Sequence, residues 1–323
     1  DVHPAVARLR ARLAASPDPT EALASGAGAR IPDRFDEALE EAVRHAQTRH
    51  GLEADGVVGS DTWAALAAPV EERVAALRSA LEHWRWLPDS FGAETTLWVD
   101  VPSFQLTVLE KGRSILDMPV VVGAPGTPTP PLVDTLESVV VHPQWNVPES
   151  ILRGELAPAQ AADPNHLAAG GYEVLDASGA LVDPSTVDWS RPSSWPAGLR
   201  VRQRSGPSNA LGAIKFLFPN HHAVYLHDSP ARHLYARADR ALSHGCVRLS
   251  DPWALAELLA ERGVVSLDVG TARRAGVRRA VGVRTTIPVF FTHFAARAEH
   301  SDRAPRFPRP FPGLDLSGAV DRP

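Results

Sequence analysis

Apolar residues recur at three- and four-residue intervals through the first part of the chain and at two-residue intervals from Leu97 onward. Residues 5–14 carry valine and leucine at helical spacing and predict a short amphipathic helix. Residues 35–49 repeat the pattern, with Phe35, Leu39, Val43 and Ala46 along one side. A Pro/Ser/Gly-rich loop from Ser16 to about Pro32 separates the two. Asp55-Gly56 and Gly59 then mark tight turns, and Ser60 is placed to cap a further helix through Leu66. Helical spacing returns over 69–87, where Val70, Val74, Leu77, Leu81 and Trp84 align before Pro88.

With the change of period, 97–101, 104–109 and 115–122 read as strands, and Lys111-Gly112 as a two-residue hairpin turn. Further strands are expected at 136–142, 199–204, 213–218, 223–227 and 286–292. Asp251 and Pro252 open a helix as cap and first helical residue, and Gly263 ends it. The Pro-rich, Trp-containing segment 143–198 interrupts the strands, and insertions of that length usually carry function or form a lid. The proline-rich tail 301–323 has no clear period. The expected fold is therefore mixed α and β, with helices first and a mostly β remainder.

Composition narrows the function classes. The 323 residues, 44% hydrophobic, suffice for a sizeable core and suggest about two domains. A single cysteine, Cys246, excludes an intrachain disulfide and a multi-cysteine zinc cluster. A net charge of −5 does not predict a nucleic-acid partner. Of 33 Lys and Arg residues only Lys111 and Lys215 are lysine, which fits the coding bias of a GC-rich bacterial genome. No apolar run is long enough for a transmembrane helix, and Asp1-Val2-His3-Pro4 lacks the basic-then-apolar start of a signal peptide.

The stretch richest in chemistry is Val224-Tyr225-Leu226-His227-Asp228 followed by Ser243-His244-Gly245-Cys246-Val247-Arg248. A lone cysteine is often a small buried hydrophobe. Here His244 and Arg248 give it a polar, positive setting that favours the thiolate. A thiol of ordinary pKa is only a few per cent ionised at pH 7, and a histidine within reach would lift that limit. Gly245 frees the backbone to approach a carbonyl and to offer N–H groups to an oxyanion. On spacing alone, catalysis and structural burial stand level. A zinc site from His227, His244 and Cys246 uses legitimate ligands, but no metal-activated-water motif accompanies it.

Two resemblances give these residues roles. Ala42-Val43, Gln47, Gly51-Leu52, Asp55-Gly56, Gly59, Thr62 and Ala65-Leu66 resemble the small three-helix peptidoglycan-binding domain, which usually has Phe where this chain has Ala46. His227, the 15 residues 228–242 and Ser243-His244-Gly245-Cys246-Val247-Arg248 resemble the signature of the YkuD-type L,D-transpeptidase catalytic domain. Trp145-Asn146-Val147-Pro148, Asn209-Ala210-Leu211-Gly212, Lys215-Phe216 and Phe218-Pro219-Asn220 look like its large YcbB-like branch, as does Ile287-Pro288-Val289. The implied organisation is a helical scaffold remnant at 1–25 and 70–90, a peptidoglycan-binding-like domain at 26–69 and a mostly-β catalytic domain at 91–300. Its insertion 143–198 caps the substrate groove, and 301–323 is a tail.

The resemblance implies that Cys246 is the nucleophile and His227 the general base, with His244 orienting the site or polarising the thiol. Gly245 and Cys246 N–H groups are implied as oxyanion donors, with Ser243 and Tyr225 as neighbours. Arg248 either holds a substrate carboxylate or braces the loop, Tyr225 either contacts substrate or fills core, and Trp145 and Asn146 either border the groove or form a structural corner. His142, His221, His222 and His233 read as packing or solvent-facing residues. No metal or cofactor is implied. The implied reaction is 3→3 cross-linking of peptidoglycan stem peptides, with carbapenems as inhibitors and peptidoglycan synthases and carboxypeptidases as candidate partners. The implied location is the periplasm, with an export signal or anchor on the native precursor. Water or another amine as acceptor keeps the same site and gives carboxypeptidase, endopeptidase or protein-anchoring activity. A non-catalytic cell-wall-binding protein is the reading from a different class.

Overall fold

A computed structural model describes residues 2–16, 32–297 and 306–308. Most of the Pro/Ser/Gly-rich loop and of the tail lies outside these residues. The helices α1 (Pro4–Ala14), α2 (Glu37–Arg49) and α3 (Ser60–Ala67) form one small unit. Its core joins Leu9 and Leu13 of α1 to Leu39, Val43 and Ala46 of α2 and Leu66 of α3. The expected boundary at residues 25 and 26 therefore runs between helices that share a core. Asp36 caps α2 by accepting from the Leu39 N–H and pairs with Arg10 at 2.8 Å. Gly59, not Ser60, is the cap residue of α3: Ser60 is already helical, and no side chain satisfies the first turn.

The helix α4 (Val70–Arg85) leads to the second unit. Trp84 stacks on Phe294 at 4.9 Å between ring centroids and meets Trp98 and Phe91 edge-on. Most of the helix's apolar stripe stays exposed at Val70, Val74 and Leu81; near its C-terminal end Ala80 is buried, and the partly exposed Trp84 holds the helix through its stacking on Phe294.

The main sheet uses β1 (Thr96–Asp100), β2 (Gln105–Glu110), β3 (Arg113–Gly123), β4 (Leu132–Thr135) and β5 (Ser138–Val141). Outside it, β6 (Trp145–Asn146), β7 (Tyr172–Leu175), β8 (Leu181–Val182) and β9 (Arg200–Gln203) form a separate sheet in the order β6-β9-β7-β8. The main sheet resumes with β10 (Ile214–Leu217), β11 (Leu226–His227), β12 (Ala241–Ser243), β13 (Val247–Leu249), β14 (Arg279–Gly282) and β15 (Pro288–Thr292). Its order is β14-β5-β10-β11-β13-β3-β2-β1-β15-β4, and β12 pairs with β3. Lys111 and Gly112 both take positive φ, as the tight β2–β3 hairpin requires. The helix α5 (Pro252–Glu261), capped by Asp251, buries Leu255, Ala256 and Leu259 in the sheet core.

Two strand expectations change. The strand at 199–204 pairs with Trp145–Asn146 and Tyr172–Leu175, so it belongs to the cap and not to the main sheet. The strand at 223–227 shortens to Leu226–His227, because Asn220 builds a turn ahead of it. The Asn220 side chain accepts from the Val224 N–H and donates to the Val224 carbonyl, which places Ala223 at φ 54°.

The cap has its own core, formed by Leu152, Leu156, Leu167, Val174, Trp189 and Val201. That core lets it fold as a body above the sheet instead of lying as an extended loop.

Candidate active site

Parallel pairing of β11 with β13 aligns Leu226 with Val247 and His227 with Arg248. The loop entering β13 carries Cys246. Gly245 sits at φ 110°, a backbone that side chains rarely adopt. The Ser243 hydroxyl donates to the Cys246 carbonyl at 2.6 Å and accepts from the Gly245 N–H at 3.1 Å. Residues 124–129 brace the loop from outside. Thr129 Oγ1 donates to the Gly245 carbonyl at 2.7 Å, and the Ser243 carbonyl accepts from Thr127 Oγ1 and the Ala124 N–H. The Gly245 N–H is thus already engaged. Of the two oxyanion donors expected, the Cys246 N–H is the one the loop does not use.

Tyr225 and Cys246 are neighbours. The Tyr225 backbone N–H and hydroxyl both face the sulfur, and the Sγ–H points at the Ala223 carbonyl, 3.7 Å away. Burial pushes the thiol above its ordinary value, while Tyr225, Arg248 and Lys215 pull it down. The Trp145 indole donates to the Tyr225 hydroxyl, which ties the cap to the neighbour of Cys246. Burial, and then the Cys246 charge, keeps the phenol protonated well above its usual range.

His227 is buried, and its Nδ1 lies 2.5 Å from the Asp228 carbonyl. This assigns the proton to Nδ1 and leaves Nε2 bare. Burial, reinforced by Arg248 and Lys215, lowers its pKa to about 3, so the imidazole is neutral at pH 7. The Asp228 carboxylate fixes the segment by accepting from the Ala213 and Ser229 N–H groups and from Arg232 at 2.6 Å. Gly212, at φ 59°, has no room for a Cβ, which would fall on that carboxylate.

Arg248 is partly buried, and its Nε has no hydrogen-bond partner among the described residues. A guanidinium held this way is suited to an anionic guest. His244 is half exposed, and its Nε2 lies 2.6 Å from Glu155 Oε1, on the π-helical turn Leu152–Leu156 of the cap.

The structure thus brings together Cys246, His227, Tyr225, Ser243, Gly245, Arg248 and Trp145, with His244 at the rim. Asn146 is exposed on β6 and makes no hydrogen bond to this group among the described residues. His221, His222 and His233 are exposed, and His142 packs with its Nε2 2.9 Å from the Ala272 carbonyl. Sequence reasoning quoted Asp228 without giving it a role and missed Thr127, Thr129, Glu155 and the role of Lys215. Thr127, Thr129 and Glu155 carry no motif signal, and for Lys215 the scarcity of lysine was the signal. Among the described residues no group of three or more His, Cys, Asp or Glu is arranged to hold a metal ion, and no helix is long and apolar enough to cross a membrane.

The sequence profile of the YkuD-type L,D-transpeptidase catalytic domain matches residues 94–279, and a provisionally described peptidoglycan-binding domain matches residues 3–66. A curated Haemophilus influenzae protein, provisionally named an L,D-transpeptidase, is 38% identical over 208 residues. That match spans 64% of this chain and 42% of the relative, so less than half of the relative's length is represented. Among solved structures, an L,D-transpeptidase from Stackebrandtia nassauensis is 14% identical with a TM-score of 0.30, over 90% of this chain and 92% of that one. One from Mycobacterium smegmatis is 17% identical with a TM-score of 0.27, over 62% of this chain and 58% of that one.

Proposed function

The chain belongs to the L,D-transpeptidase family, and we propose that it forms 3→3 cross-links in peptidoglycan through a thioester on Cys246. The observation that carries this reading is the setting of Cys246, faced by Tyr225 and Arg248, with a neutral, oriented His227 whose ring lies 5.5 Å from that of Tyr225. Cys246 Sγ attacks the carbonyl of the third residue of a donor tetrapeptide stem. The thiol proton passes to His227 Nε2 and then to the amine of the departing D-Ala. The Cys246 N–H stabilises the oxyanion, and Arg248 receives a carboxylate of the stem. An acceptor side-chain amine then attacks the thioester, forming the new amide and regenerating the thiol.

Trp145, linked to Tyr225, borders the donor groove beneath the cap, and the helical unit 3–66 holds the polymer. Peptidoglycan lies outside the cytoplasmic membrane, and the protein acts there. Its donors come from a carboxypeptidase-class reaction that trims pentapeptide stems to tetrapeptides.

Incubation with tetrapeptide-bearing muropeptides should yield dimers that mass spectrometry assigns as 3→3, with none formed by Cys246→Ala. Cross-linking that survives Cys246→Ala would overturn the mechanism. Tripeptide monomers without dimers would assign water as the acceptor. A carbapenem adduct on intact wild-type protein, absent from Cys246→Ala, is the accompanying expectation.

A further inference from the structure

Only two of the 33 Lys and Arg residues are lysine, and they occupy very different places. Lys111 sits exposed at the β2–β3 hairpin corner. Lys215 lies within β10, paired with His227 on one side and Val140 on the other. Directly opposed residues of an antiparallel pair project to the same sheet face, and so does Tyr225, two positions before His227. The Lys215 ammonium accordingly sits 5.3 Å above the Tyr225 ring, and that ring stands 5.5 Å from His227. Tyr225 in turn faces the Cys246 sulfur with both its hydroxyl and its N–H.

The charged and titratable groups around this ammonium are Tyr225 just before β11, His227 on β11, Cys246 and Arg248 at β13, and Arg278 just before β14. His244 and Glu155 stand at the rim beyond Cys246. Burial and Arg278 oppose the charge on Lys215, whereas ionised Cys246 favours it. A partly desolvated ammonium beside a guanidinium is costly unless an anion or an aromatic face compensates it. Here the face is Tyr225, and the thiolate is the anion whenever Cys246 ionises. His227, buried and neutral, supplies no imidazolium to pair with that thiolate.

We propose that Lys215 is a positioning residue of the nucleophile: seated on the Tyr225 ring, its ammonium supplies the positive charge that favours ionised Cys246. The inference rests on the reading of Cys246 as the nucleophile, but its test does not depend on the acceptor. Because the chain has one cysteine, the rate of iodoacetamide alkylation against pH reports the ionisation of Cys246 alone. Lys215→Met and Lys215→Gln should move the midpoint upward and slow alkylation at pH 7 about tenfold, the equivalent of one pKa unit. Lys215→Arg, which keeps the charge, should stay within about threefold of wild type. An unchanged midpoint in a neutral variant that melts cooperatively would overturn the proposal. So would a Lys215→Arg variant as slow as Lys215→Met, since shape rather than charge would then be decisive.

The reciprocal measurement needs no change at Lys215. In lysine-labelled protein NMR follows only two side chains, and Cys246→Ser should lower the titration midpoint of Lys215 while leaving Lys111 in place. An unmoved Lys215 midpoint would refute the coupling. Cross-linking retained by Cys246→Ala would instead refute the proposed function, so the two failures are distinguishable.

Discussion

Glu155 Oε1 and His244 Nε2 lie 2.6 Å apart, so the π-helical turn of the cap touches the loop that presents Cys246. Single π-turns inside helices are frequent at functional sites. Both partners are about half exposed, and pairs of this kind contribute little to stability. The contact sets a register between the cap and the Cys246 loop. Glu155→Gln should leave the melting temperature unchanged and raise the donor KM several-fold with a smaller change in kcat. Steady-state kinetics beside a thermal melt checks this, and a KM equal to wild type would count against it.

Thr129 offers a complementary test from the other side of the loop. Its buried hydroxyl accepts from the Gly123 N–H at 2.9 Å and donates to the Gly245 carbonyl. Thr129→Val keeps the shape and leaves two backbone groups without partners. The cost should be about 1–3 kcal/mol, because a buried polar group stripped of its partner pays its desolvation in full. Thr129→Ser keeps the hydroxyl and should retain most of the stability. Denaturant unfolding of both variants decides between them, with thioester formation slowed in Thr129→Val alone.

The contrast between Cys246 and Thr129 explains how much of this molecule was legible in its sequence. Cys246, His227 and Ser243 stood out because rare residues fall at fixed offsets, and short-range patterns gave most helices and the β1–β3 strands. Thr129 reaches Gly245 across 116 residues, and no local pattern carries such a contact. The same limit applies to Arg200–Gln203, whose alternation marks a strand but not the sheet it joins. It applies to Leu9 and Leu13, whose spacing predicts a buried stripe without naming the helices that bury it. Val70, Val74 and Leu81 show the reverse: a helical stripe left exposed because the helix is anchored elsewhere.

Gln47 is the residue on which the turn region of the helical unit depends. It is buried, and its Nε2 lies within hydrogen-bond distance of Asp55 Oδ1, the Val57 carbonyl and Thr62 Oγ1. Its Oε1 accepts from the Gly56 N–H at 2.9 Å. One side chain thus ties α2 to the turn and to the start of α3. Gln47→Ala should cost about 2–3 kcal/mol, the loss of several buried hydrogen bonds minus what water recovers. Hydrogen exchange should show residues 52–59 losing protection while the strands around Cys246 keep theirs. Uniform loss of protection in both units would contradict this assignment.

Acid should destabilise the protein, with a slope set by three buried groups. Burial lowers His227 to about 3 and His293 to about 4, both from 6.5. Burial raises Asp100 to about 6 from 3.8. As pH falls below 6.5 the unfolded chain gains two protons at the histidines, which the folded chain refuses until near pH 4 and 3. Below pH 6 the folded chain gains one at Asp100, which the unfolded chain refuses until 3.8. The unfolded state therefore holds about one proton more between pH 6 and 4.5, and stability falls on acidification by about 1.4 kcal/mol per pH unit. His227→Asn removes one of the two histidine contributions, leaving His293 and Asp100 nearly balanced and the profile almost flat over that window. Melting temperatures measured from pH 7 to 4.5 for both proteins test the sign. A wild type that gains stability on acidification would show that the carboxyl, not the imidazoles, dominates.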